Sequence, residues 1–92
     1  MEDSVSHFTV YFEGHVQGVG FRFTTFNLAK GYEVTGFVKN LADGRVHLEI
    51  EGDRDECVAF IKALNEEMAS FIRDKTQTEV ERTREQKAFT IR

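Results

Sequence analysis

Residues Gly14 to Gly20 constrain this chain more than any other stretch. Before them Phe8, Val10 and Phe12 alternate with Thr9, Tyr11 and Glu13, the period of a strand with one buried face. After them Phe26, Ala29 and Tyr32 recur at intervals near one helical turn, which predicts a helix from Phe21 to about Tyr32. Gly14, Gly18 and Gly20 fall in the connection. Glycine opens φ values closed to other residues, so successive N–H groups can turn the same way. A concave run of amides beside a helix start attracts anions through its partial positive charge. Arg22 then sits in the first helical turn. A cation is disfavoured there unless an anion is close, and its planar fork matches two phosphate oxygens. Read without comparison, a glycine-rich strand-to-helix connection is more often only a tight turn. It is not a Walker loop, because no Gly-Lys-Ser/Thr follows. The glycine spacing does not fit the dinucleotide fingerprint either, and the next strand returns as a hairpin.

The rest of the chain supplies a frame for that loop. Val34 to Asn40 and Arg45 to Glu51 read as two strands, with Leu41-Ala42-Asp43-Gly44 as their turn and Gly44 suited to positive φ. Along the third strand Val46, Leu48 and Ile50 face one way, and Arg45, His47, Glu49 and Glu51 the other. That pattern predicts one packed and one wet face. Asp53 and Glu56 have the spacing of a capping box. Cys57, Phe60, Ile61, Leu64 and Met68 follow at helical intervals. Lys75 to Val80 alternates enough for a fourth strand, starting anywhere from Ala69 to Lys75, and Ala88 to Ile91 reads as a last one. The expected fold is α+β: a ferredoxin-like α/β sandwich of β-α-β-β-α-β order, with a mostly antiparallel sheet and two helices on one face.

A chain of 92 residues makes one domain, expected over residues 7–92 after a flexible N-terminus over 1–6. The net charge of −4 argues against a broad basic face for nucleic acid or anionic membrane, though not against one local anion site. Cys57 is the single cysteine, so no internal disulfide and no cysteine-based zinc site can form. The acidic start lacks the apolar core of a signal peptide, and no run approaches the roughly 18 apolar residues of a membrane span. A soluble, cytoplasmic monomer is expected.

The run Gly14-His15-Val16-Gln17-Gly18-Val19-Gly20-Phe21-Arg22 resembles the acylphosphatase signature G-x-V-Q-G-V-x-F-R. Gly36-Phe37-Val38-Lys39-Asn40, with Asp43-Gly44 and Val46 beyond, resembles that family's G-W-V-x-N…D-G-x-V block. The likeness is good over residues 8–52 and looser afterwards. It implies a hydrolase that cleaves acyl phosphates to carboxylate and inorganic phosphate, with no metal, no cofactor and no phosphoenzyme. It also implies roles. The N–H groups of His15, Val16, Gln17, Gly18, Val19 and Gly20 would cradle the phosphoryl oxygens with Arg22, and the Asn40 amide would orient the attacking water. Inorganic phosphate would be product and inhibitor. The family's glycine after the first helix is replaced by Glu33, so either that helix ends sooner, near Gly31, or Glu33 takes positive φ.

Other residues carry weaker signals. The His15 side chain is expected to face solvent, and the Gln17 side chain to orient the loop. Thr24 and Thr25 could touch the site from the first helical turn or merely support the helix start. Cys57 reads as core, His7 and His47 as inert surface residues, and Glu79 to Lys87 as a solvated loop or hairpin. Tyr11 and Phe37 on an open sheet face would be the basis of the alternative, a non-catalytic module for RNA or a phosphorylated metabolite. Glu49 and Glu51 on the same face oppose it. An intact Arg22–Asn40 pair favours the enzyme, since phosphate binding alone needs no water-orienting amide.

Overall fold

Alternation puts Phe8, Val10 and Phe12 of β1 (Ser4–Gly14) against Ile50, Leu48 and Val46 of β3 (Val46–Gly52), residue opposite residue. These side chains are buried on one sheet face. The computed structural model describes residues 4–92. Met1 to Asp3, part of the expected flexible N-terminus, lie outside the described residues; Ser4 to Ser6 are not loose but paired in β1. The other elements are α1 (Phe21–Ala29), β2 (Val34–Asn40), α2 (Arg54–Glu67), β4 (Ile72–Thr83) and β5 (Phe89–Ile91). The sheet order is β4-β1-β3-β2-β5, antiparallel except for the parallel β2–β5 pair. Both helices cover the apolar face, as the ferredoxin-like pattern requires. Cys57, Phe60, Ile61 and Leu64 of α2 and Phe21 and Ala29 of α1 complete the core.

The end of α1 follows the first of its two alternatives, and the start of α2 departs from expectation. α1 stops at Ala29, and among the described residues only glycines have positive φ, so Glu33 takes no left-handed cap. A short turn carries the chain to β2 through bonds from Gly31 N to Leu28 O and Tyr32 N to Ala29 O. The Asp53–Glu56 capping box does not form. The Glu56 carboxylate accepts instead from Glu33 N at 2.8 Å. The same acid is better used satisfying the exposed amide that α1 leaves behind than closing back on its own helix.

The second sheet face is not wet throughout. β4 and β5 lie on opposite edges, so the chain after Thr83 crosses the helix-free face to connect them. Glu51 projects from the centre of the sheet and is fully buried beneath that crossing. Its carboxylate accepts from Glu85 N at 2.8 Å and from Gln86 N. The Arg84 guanidinium donates to Thr35 Oγ1 at 3.2 Å. Of the segment expected as a solvated loop or hairpin, Glu79 to Thr83 extends β4, and the following residues, though partly exposed, are strapped to the sheet by a buried acid. His7 and His47 are likewise buried rather than superficial. His7 lies between Glu49 Oε1 at 3.0 Å and Glu51 Oε1 at 3.3 Å. His47 stacks on Tyr11, pairs with Glu49, and is held below the ordinary imidazole pKa chiefly by burial, against the pull of Glu49.

Backbone bonds to a buried carboxylate are charge-assisted, and breaking them leaves enclosed amides unpaired. Glu51→Gln is expected to cost about 1.5–3 kcal/mol in urea unfolding, whereas Glu81→Gln on the exposed edge strand should change little.

Candidate active site

The loop after β1 is held open by contacts at its margins. Gly14 has φ +130, and a Cβ there would lie 2.5 Å from Phe71 O and 2.6 Å from Arg73 N. Only glycine lets the strand end pass this close to the start of β4. His15 N then donates to Phe71 O at 2.9 Å. The His15 amide is consumed in fixing the loop, which corrects its expected place among the cradle donors; its side chain is exposed, as expected. From the other side the Gln17 Nε2 amide donates to Leu41 O at 2.8 Å and Arg45 O at 3.0 Å, tying the loop to the β2–β3 turn.

Between these anchors the chain turns through two left-handed glycines, Gly18 at φ +80 and Gly20 at φ +77. Gly20 is the N-cap residue of α1, and no side chain caps that helix. Among the described residues the N–H groups from Val16 to Phe23 donate to no protein acceptor. The first amides of any helix lack intrahelical partners, and here the preceding loop adds more. No acidic residue lies in the first turn to neutralise them. Thr25 steadies the turn, its Oγ1 donating to Phe21 O at 2.8 Å. Thr25 thus supports the helix rather than reaching the site.

A cavity of about 320 Å³ opens beside this loop, lined by Val16, Gly18, Gly20, Phe21, Arg22, Phe23, Asn40 and Ile91. Arg22 and Asn40, far apart in sequence, share it. Among the described residues Arg22 is the only charged side chain that lines it, and no carboxylate does. One guanidinium nitrogen, Nη1, donates to Arg92 O at 3.1 Å. That bond ties Arg22 to the end of β5 and leaves its other donors uncommitted among the described residues. Asn40 closes β2, and its Oδ1 is enclosed without a protein partner. An enclosed carbonyl oxygen left unpaired costs about 1–3 kcal/mol, so this amide is poised to engage a small polar molecule.

Of the residues expected in the cradle, Val16, Gly18, Gly20 and Arg22 line the cavity; His15, Gln17 and Val19 do not. Val19 packs toward the core. Phe21, Phe23 and Ile91 line it without having been singled out from sequence. Phe23 follows Arg22 directly and could have been noticed as an aromatic beside the loop. Ile91 could not, because only the β2–β5 pairing brings it there. Cys57 is no nucleophile for this site: it is buried in the core, and burial pushes its thiol up to about 11.

Several known proteins resemble this chain in sequence and in fold. A family model described as Acylphosphatase matches residues 8–91. An acylphosphatase of Corynebacterium glutamicum is 40% identical over 65 residues, 71% of this chain and 69% of that one. An acylphosphatase of Treponema denticola is 48% identical over 58 residues, 63% of this chain and 62% of that one. The crystal structure of acylphosphatase from Bacillus subtilis superposes with TM-score 0.83 at 28% identity, covering 94% of this chain and 97% of that one. Full-length HypF in a phosphate- and nucleotide-bound form superposes with TM-score 0.76 at 30% identity, covering 95% of this chain but only 12% of that one.

If the loop conformation creates the site, a side chain at Gly20 should damage it without filling it. A Cβ there meets nothing within 4 Å, so the cost lies in the left-handed backbone. Gly20→Ala is expected to lose about 1–2 kcal/mol of stability and to weaken inhibition by inorganic phosphate about tenfold by displacing amides, read from urea unfolding and initial-rate kinetics.

Proposed function

The chain belongs to the acylphosphatase family, and we propose that it hydrolyses acyl phosphates in the cavity shared by Arg22 and Asn40. The observation that carries this reading is the meeting, around one small cavity, of a guanidinium with donors to spare, a carboxamide oxygen without a partner and a run of amides without acceptors among the described residues. The amides from Val16 to Phe23 and the Arg22 guanidinium would surround the phosphoryl oxygens. Hydrogen bonds to such a group strengthen as charge spreads over its equatorial oxygens, which is the main catalytic demand of phosphoryl transfer.

Asn40 would hold a water molecule with the oxygen facing phosphorus. The water oxygen forms the new P–O bond as the bond to the acyl oxygen breaks, and the carboxylate leaves with the electron pair. The proton from water passes to a phosphoryl oxygen of the substrate. A carboxylate is a good leaving group, so no protein acid need protonate it, and among the described residues no carboxylate lines the cavity to serve as a strong base. In this reading neither a metal nor a phosphoenzyme is required.

The non-catalytic alternative is not favoured. A face for stacking RNA bases would have to be the helix-free one. There Phe37 is already buried, with the Arg92 guanidinium 3.9 Å from its ring centre, and Glu49 and Glu51 add negative charge.

The test is phosphate release from an aryl acyl phosphate in the presence of a chelator. Asn40→Ala is expected to lower kcat by about 10²–10³ with little change in the inhibition constant of inorganic phosphate. Arg22→Ala is expected to weaken both. Wild-type kcat in Asn40→Ala would remove the water-holding role.

A further inference from the structure

Phe23 is 64% exposed, the most exposed of the large hydrophobic side chains among the described residues. It lies on the first turn of α1, beside Arg22 in sequence and on the same cavity. Ile91, 41% exposed, lines that cavity from β5. A lone exposed apolar residue needs no explanation. Two of the few exposed ones on a single cavity, next to its only cation, form a patch with a direction. The cavity of about 320 Å³ is at the low end of sites that enclose organic ligands, so it has room for more than a tetrahedral anion.

Neither side chain contributes much burial to folding while it is wet. Each contributes when a ligand covers it. The phosphoryl group of an acyl phosphate is attached to an acyl group that stays outside the amide cradle. That group must lie against the rest of the cavity lining. The charges available to it are limited: Arg22 is engaged by the phosphate, and among the described residues no other cationic side chain lines the cavity.

We infer that Phe23 and Ile91 form the wall against which the acyl group rests, so that the enzyme favours apolar acyl groups, aromatic or branched, over those carrying a second carboxylate. The inference rests on the hydrolase reading given above. An aromatic acyl group gains contact with the Phe23 ring. A second carboxylate loses water against an apolar wall and finds no partner there.

The experiment is initial-rate kinetics on three substrates: benzoyl, acetyl and succinyl phosphate. The wild-type protein is expected to prefer benzoyl and to disfavour succinyl relative to acetyl phosphate. Phe23→Ala should reduce the benzoyl-to-acetyl ratio of kcat/KM about tenfold, through KM. Phe23→Leu should restore most of the ratio, and Ile91→Ala should lower it in the same direction. Inhibition by inorganic phosphate, which reads the cradle alone, reports whether the loop is intact in each variant. A ratio unchanged in Phe23→Ala while phosphate still inhibits overturns the acyl wall and leaves the hydrolase reading standing. Equal use of benzoyl and succinyl phosphate by the wild-type protein also overturns it. If none of the three substrates is cleaved while phosphate still binds, the hydrolase reading falls, and this inference falls with it.

Discussion

The site depends on amides that the fold leaves unpaired. A backbone N–H without an acceptor is normally costly, yet the chain from Val16 to Phe23 keeps a run of them together. It can do so because the run is short, partly open to solvent, and pinned on both sides. His15 N to Phe71 O secures one margin, and the Gln17 side chain secures the loop to the β2–β3 turn. The positive potential of the α1 N-terminus adds to theirs. In a chain of net charge −4, this local concentration of donors, with Arg22, would supply the attraction for an anion in the proposed reading.

The sheet order brings the remaining parts to the loop. β2 ends at Asn40, and β5 runs parallel beside it. That pairing places Ile91 on the cavity and the Arg92 carbonyl within reach of Arg22. It also requires the chain to cross the helix-free face from β4. The buried Glu51 carboxylate holds that crossing. A residue on the far side of the sheet thus helps set where β5, and with it one wall of the site, comes to lie.

Much of this was legible in the sequence. Alternation around Phe8, Val10 and Phe12, helical spacing from Cys57 to Leu64, and a turn at Asp43-Gly44 gave the elements, because burial on one face imposes a period. The loop and Arg22 drew attention because glycines and a cation in such positions are costly without a purpose, whereas the pairing of Arg22 with Asn40 came from the resemblance to the acylphosphatase motifs. What was not legible came from long-range pairing. Glu51 alternates like a wet-face residue, and nothing in its neighbours announces that a distant segment will cover it. His15 looked like any other loop donor until β4 arrived with an acceptor. Glu56 had the spacing of a capping acid, but the exposed amide of Glu33 captured it. Ile91 joined the site through strand order alone.

The most direct test of the central claim is a titration of the 15N-labelled protein with inorganic phosphate, followed by amide resonances. The amides from Val16 to Phe23 are expected to shift together along one saturable curve, with the Arg22 side-chain resonance, while the His15 amide, committed to Phe71, shifts far less. Shifts centred on other elements, or a loop that stays silent at saturating phosphate, would contradict the account.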